Sequence, residues 1–186
     1  SSLLIKKGMI TRKDVDNAVI EEFIMGAQYN FNFFYSPLLG ELELLGTDAR
    51  RQTNLDGLLR LPADEQLKVL EHIKAQNIEV GHFATTIRES LLEKVFRLGE
   101  RFVEITKSEY PPGIIGPFAL QGAVIPGPPK EDIAIFDVSL RVPGSPGTKF
   151  THYTECNWGY PVSTGHRIAM EIKEAIKQDR LDEVIT

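Results

Sequence analysis

The chain has 186 residues, enough for one domain with a real core, and its 21 Lys and Arg against 26 Asp and Glu give a net charge of −5. That balance argues against a nucleic-acid backbone or an anionic membrane as main partner, and neither a membrane-length apolar run nor, in Ser1 to Gly8, the apolar core of a signal peptide is present. The single cysteine, Cys156, excludes an intrachain disulfide and a Cys-rich zinc site, so a soluble protein of the reducing cytoplasm is expected.

Val19 to Ser36 is the most strand-like stretch. Within it Tyr29, Phe31, Phe33 and Tyr35 alternate with Asn30, Asn32, Phe34 and Ser36, as in a strand with one buried and one polar face. Ser36-Pro37 ends the strand and Leu39-Gly40 turns, so that Glu41 to Leu45 pairs back before a polar segment, Gly46 to Gly57. Pro62, Asp64 and Glu65 open a helix with Leu67, Leu70 and Ile73 on one side. A longer helix is expected from Glu89 to Ser108, with Leu91, Leu92, Val95, Phe102, Val103 and Thr106 as its buried stripe and Pro111-Pro112-Gly113 as its stop.

Two segments, Ile114 to Val124 and Asp132 to Val142, then read as a β-hairpin joined by the Pro/Gly-rich stretch Pro126 to Pro129. In the second, Ala134, Phe136, Val138, Leu140 and Val142 form one face, and Asp137, Ser139 and Arg141 share the other with Ile133 and Ile135. Symmetrical closure puts Gln121 opposite Asp137. A carboxylate beside a carbonyl oxygen and an arginine can hold a hard cation and the phosphate it neutralises; a sheet face open to water has the same pattern. Pro143 to Gly147 is a flexible loop, Phe150 to Tyr160 an irregular aromatic stretch, and Ser163 or Thr164 caps a last helix with Ile168, Ala169, Ile172, Ala175 and Ile176 on its core face. Strands, helices and strands again, without steady βαβ alternation, indicate an α+β fold with a mostly antiparallel sheet and packed helices in a single domain.

Single residues are less informative. His82 follows Val80-Gly81, where a strand would begin and a side chain could enter a cleft, whereas His72 reads as a surface residue. Cys156 lacks an activating neighbour, and Trp158 fits packing of a loop or of a subunit interface. Glu21 and Glu22 precede Phe23-Ile24-Met25-Gly26, an arrangement suited to ribose hydroxyls and an adenine edge and equally to a solvated strand end.

The runs NFNFFYSP (Asn30 to Pro37), ELELLG (Glu41 to Gly46), TNLDG (Thr53 to Gly57), RESLL (Arg88 to Leu92), PPGIIGPF (Pro111 to Phe118) and the RIAMEIKEAI helix within Val162 to Thr186 closely resemble the archaeal PurP family. Its members are formate–phosphoribosylaminoimidazolecarboxamide ligases of the ATP-grasp type. The resemblance implies an ATP-grasp-like fold, with residues 1–186 as the C-terminal half of a chain nearly twice as long. It also implies a reaction of purine (IMP) biosynthesis, in which ATP activates formate and the formyl group passes to the amine of AICAR, giving FAICAR. By the same resemblance, Glu21, Glu22, Phe23 and Ile24 form the adenosine-binding hinge, and Gln52 stands near the nucleotide where the family has a glutamate. His82 takes the place of an asparagine that touches AICAR. Mg²⁺ or Mn²⁺ would lie on Gln121 and Asp137, the latter within Phe136-Asp137-Val138-Ser139-Leu140-Arg141 where the family reads Phe-Glu-x-Ser-Ala-Arg, and Arg141 would stabilise the transferred phosphoryl group. Pro143 to Lys149 replaces an Ala-Gly-Thr-Asn-like loop. The implied partners are ATP, formate and AICAR, with either a homo-oligomer or an N-terminal half completing the site. A non-catalytic paralogue or subunit that binds nucleotide or a partner chain is the second reading, and an oligomerisation module built around Trp158 the third.

Overall fold

The aromatic and polar alternation of Tyr29 to Ser36 suits a central strand with one apolar side for the core and one side that carries polar groups. In the computed structural model, which describes residues 2–76, 78–127, 129–142 and 151–185 without the side chains of Gln52 and Thr53, the elements follow in order. They are α1 (Ser2–Lys6), α2 (Arg12–Asp16), β1 (Ala27–Ser36), β2 (Glu41–Gln52), α3 (Thr53–Leu58), α4 (Ala63–Leu70), β3 (Glu79–Thr85), α5 (Glu89–Glu109), β4 (Gly116–Ile125), β5 (Asp132–Ser139), α6 (Thr154–Trp158) and α7 (Thr164–Lys177). The five strands form one antiparallel sheet in the order β3-β2-β1-β4-β5. The α+β, antiparallel expectation is thus met. Among the described residues no helix is long and apolar enough to cross a membrane.

One face of the sheet belongs to α5. Leu91, Val95, Gly99 and Val103 recur every four residues along it and are buried, and they meet Phe31, Phe33, Tyr35, Leu44, Phe118 and Leu120 in the main core. Phe33 and Phe118 stack with ring centroids 5.3 Å apart. Gly99 sets the spacing: a Cβ there would stand 2.7 Å from Leu42 Cδ2 and 2.9 Å from Phe33 Cε1, so the helix lies closer to the sheet than any larger residue would allow.

The opposite face is divided. At one end α6 and α7 cover Phe34, Ser36 and Glu43; at the other lies a polar cleft. A bulge makes this possible. Asn32 pairs with Gly46 but Phe33 pairs with Leu44, so Leu45 is an extra residue in β2 and the parity of side chains reverses there. Glu43, Asp48 and Arg50 consequently point the same way, although strict alternation would separate Glu43 from the other two.

Several expectations need correction. Val19 to Met25 is not strand; β1 begins at Ala27, and Val19, Ile20, Phe23 and Met25 stand 76–98% exposed. The pairing strand β2 runs on to Gln52 through what reads as a polar loop, because Asp48 and Arg50 find partners on neighbouring strands. Helix α4 ends at Leu70, before Ile73, and buries none of its residues. On α7 the buried residues are Thr164, Arg167, Glu171 and Ala175, while Ile176 is 61% exposed. Periodicity misassigned that face because its centre is ionic. Arg167 donates to Glu43 at 2.6 Å and to Glu171 at 2.8 Å, Ser36 donates to Glu171 at 2.6 Å, and the Trp158 indole N–H donates to Glu43 at 3.1 Å. The Arg167 guanidinium also lies 4.2 Å from the Phe34 ring centroid. Burial opposes its charge, but the hydrogen bonds it donates to Glu43 and Glu171 prevail and hold its pKa above the ordinary value. Trp158 is therefore an intrachain packing residue.

Candidate functional site

The uncovered part of the sheet forms a cavity of about 390 Å³. Asn30 and Asn32 come from β1, Arg50 from β2, Glu79 and His82 from β3, Ala119 and Gln121 from β4, and Ser139 from β5, with Arg141 and Val142 just beyond. Antiparallel pairing produces this convergence directly. Asn30 lies between Asp48 and Gln121, and Arg50 opposite His82.

Asp48 organises one side. It is fully buried, and its carboxylate accepts from Asn30 Nδ2 at 2.6 Å, from Asn32 Nδ2 at 2.6 Å and faces His82 Nδ1 at 2.5 Å. The other imidazole nitrogen faces Glu79. Glu79 also pairs with Arg50 Nε at 3.1 Å, and Arg50 Nη2 donates to the side-chain oxygen of Gln121. Gln121 Nε2 in turn donates to Ser139 Oγ at 3.2 Å. Beneath this layer, burial pushes the pKa of His152 below the ordinary imidazole value, against a hydrogen bond with the Thr85 backbone and the charge of Asp48.

Of the residues singled out from the sequence, His82, Gln121 and Arg141 line the cavity. Gln121 does pair with Asp137. Phe136, however, is a bulge residue, since Gln121 pairs with Asp137 and Gly122 with Ile135. Ile133 and Ile135 therefore turn into the core instead of sharing the face of Asp137, and Phe136 and Leu140 are exposed. Asp137 is exposed at the sheet edge and does not line the cavity. Glu21, Glu22 and Phe23 are exposed and Ile24 partly buried; none of the four reaches the cavity. The Gln52 side chain and Pro143 to Lys149 lie outside the described residues.

Gln121 and Asp137 do not fit a divalent ion by themselves. The amide oxygen of Gln121 faces the Arg50 guanidinium, Asp137 brings one carboxylate, and among the described residues no group of three or more His, Cys, Asp or Glu side chains could hold a metal ion. Sequence reasoning missed Asp48, Arg50 and Glu79. The available signal was the alternation of Thr47 and Ala49 with Asp48 and Arg50 inside an apparently polar loop.

This is an α+β domain whose antiparallel sheet carries a polar, partly cationic cleft on one face. The family described as "Domain of unknown function (DUF1297)" matches residues 1–186, and the chain belongs to it. It is 40% identical over 185 residues to the 5-formaminoimidazole-4-carboxamide-1-(beta)-D-ribofuranosyl 5'-monophosphate synthetase of Methanocaldococcus jannaschii, covering 98% of this chain and 50% of that protein. The synthetase of the same name from Methanococcus maripaludis is 41% identical over 182 residues, covering 97% of this chain and 49% of its own length. The crystal structure of an IMP biosynthesis protein PurP from Thermococcus kodakaraensis superimposes with a TM-score of 0.73 at 36% identity, over 89% of this chain and 51% of that one. The resemblance to PurP proteins is borne out, and the chain spans about half the length of the curated relatives it matches.

Proposed function

We propose that this chain supplies the substrate-binding and phosphate-facing half of an ATP- and formate-dependent ligase that formylates AICAR, within an ATP-grasp-like domain completed by an N-terminal half. The observation that carries this reading is the cavity itself: five strands direct asparagine, arginine, histidine, glutamine and serine side chains into a space of about 390 Å³, in a chain similar along nearly its whole length to proteins named as synthetases of the formylated product. Its polar lining suits a small ribonucleotide carrying a carboxamide, an amine and a phosphate.

In this reading His82 contacts AICAR, and Arg141, whose guanidinium among the described residues makes only a long hydrogen bond to the Val142 backbone, stabilises negative charge on the transferred phosphoryl group. Formate oxygen takes the terminal phosphoryl of ATP, ADP leaves, and the AICAR amine then displaces phosphate from the formyl carbon. Glu21, Glu22, Phe23, Ile24 and Gln52 would reach ATP only once the second half covers the exposed apolar segment around them. Magnesium or manganese would enter with the nucleotide, its phosphates completing a shell that Asp137 and Gln121 cannot form unaided.

The test is reconstitution. The chain is combined with the N-terminal half of a relative and FAICAR and ADP are measured; formation of both, dependent on ATP, formate and AICAR and at least ~10-fold reduced in Arg141→Ala, supports the ligase. Nucleotide or AICAR binding without product supports the second reading, a non-catalytic subunit, which the engagement of Gln121 by Arg50 favours. Absence of any binding overturns both.

A further inference from the structure

In the cavity almost every polar side chain is already matched. His82 has Asp48 and Glu79, Gln121 has Arg50 and Ser139, and the two oxygens of Glu79 face His82 and Arg50. Asn32 is different. It is 3% exposed, lines the cavity, and its Oδ1 has no hydrogen-bond donor among the described residues.

The orientation of that amide is dictated by chemistry. An ionised carboxylate only accepts hydrogen bonds. Asp48 Oδ2 lies 2.6 Å from Asn32 Nδ2, and a flipped amide would set oxygen against oxygen at that distance. Asn32 is therefore held with its nitrogen towards Asp48 and its oxygen away from it. Asn30, whose nitrogen donates to the other oxygen of Asp48 at 2.6 Å, removes any slack in the carboxylate. On the neighbouring strand the residue paired with Asn32 is Ala119, which also lines the cavity and leaves room for a ligand atom beside the amide.

We infer that Asn32 is the specificity-determining acceptor of this cavity, reading an N–H donor of the bound heterocycle, and that Asp48 is the positioning residue that fixes its amide. The inference rests on the assignment of the cavity to AICAR, whose carboxamide and ring amine both present N–H groups. A pocket with a buried, pre-oriented acceptor rejects an analogue that lacks the matching donor, because the acceptor is then left without a partner.

The experiment is calorimetric titration of the chain, alone and combined with the N-terminal half of a relative, with three ligands: AICAR, the analogue bearing a carboxylate in place of the carboxamide, and the analogue lacking the ring amine. The parent is expected to bind AICAR at least ~10-fold more tightly than one of the two analogues, which identifies the donor that is read. In Asn32→Ala and Asn32→Ser that preference should fall to within about twofold, and Asp48→Asn should reduce it in the same direction, since its amide no longer dictates how Asn32 is turned. Undiminished preference in a folded Asn32→Ala or Asn32→Ser variant overturns the inference while leaving the cavity assigned to AICAR. Equal binding of all three ligands by the parent overturns it without any variant. No AICAR binding by the parent in either form overturns the assignment of the cavity, and the inference with it.

Discussion

Arg50 and Gln121 meet across the central strand: the Arg50 guanidinium on β2 donates to the Gln121 side-chain oxygen on β4, over β1, whose Asn30 is in register with Gln121 on one side and with Asp48 on the other. This contact sets the electrostatic character of the cleft. A cation already stands at the oxygen that would otherwise serve a metal. Gln121→Glu should therefore form an ion pair with Arg50 before it recruits magnesium, raising stability by about 0.5–1.5 kcal/mol. Urea denaturation and a Mn²⁺ titration check this. The midpoint should rise, and metal binding without nucleotide should be no stronger than in the parent.

Asp48 should be among the least replaceable residues of the cleft. Asp48→Ala would leave the donors of Asn30, Asn32 and His82 without their acceptor in a buried setting, and a loss of about 3–5 kcal/mol is expected. Asp48→Asn retains the volume and one acceptor oxygen and should cost less. Paired denaturation curves test the ranking. Equal stability of Asp48→Ala and the parent would show that the network contributes little.

Much of the fold was legible in the sequence, and the failures share a cause. Helix α5 and strand β1 follow simple periods because what they bury is apolar. The segment around Asp48 and Arg50, and the Arg167 face of α7, were misread because what they bury is polar, and a hydrophobic period carries no signal for a buried charge whose partner lies 124 residues away, as Glu43 does from Arg167. Bulges add a second limit. Leu45 and Phe136 each shift side-chain parity by one residue, a displacement fixed by the pairing strand and not by local composition. Of the cleft residues, His82, Gln121 and Arg141 could be read directly, whereas Asp48, Arg50 and Glu79 required the register.

His152 makes stability depend on pH. Burial lowers its folded pKa below the ordinary value of 6.5, so between the two pKa values the unfolded chain binds the extra proton. Its contribution is present above about pH 6.5 and is lost as pH falls towards the folded pKa. Thermal melts from pH 8 to pH 5 should show a fall in Tm that is smaller in His152→Phe. An identical pH profile in the variant would exclude His152 as a source of the dependence.

The ionic centre beneath α7 permits a sharper test, because removing one partner and replacing the whole group have opposite expected outcomes. Arg167 is 1% exposed, with Glu43 5% and Glu171 6% exposed. Arg167→Met would leave two carboxylates facing each other out of water, and a loss of about 3–5 kcal/mol is expected, easing at low pH as the carboxylates take up protons. In Arg167→Met combined with Glu43→Gln and Glu171→Gln the uncompensated charge is gone, while Ser36 and Trp158 still find amide oxygens to donate to. The triple variant should therefore recover most of the loss, falling within about 2 kcal/mol of the parent. Denaturation of the parent, the single variant and the triple variant at pH 7 and pH 4.5 checks both parts. If the triple variant were as unstable as the single one, the stabilisation would lie in the guanidinium's packing against Phe34 and Trp158, and charge compensation would not be its source.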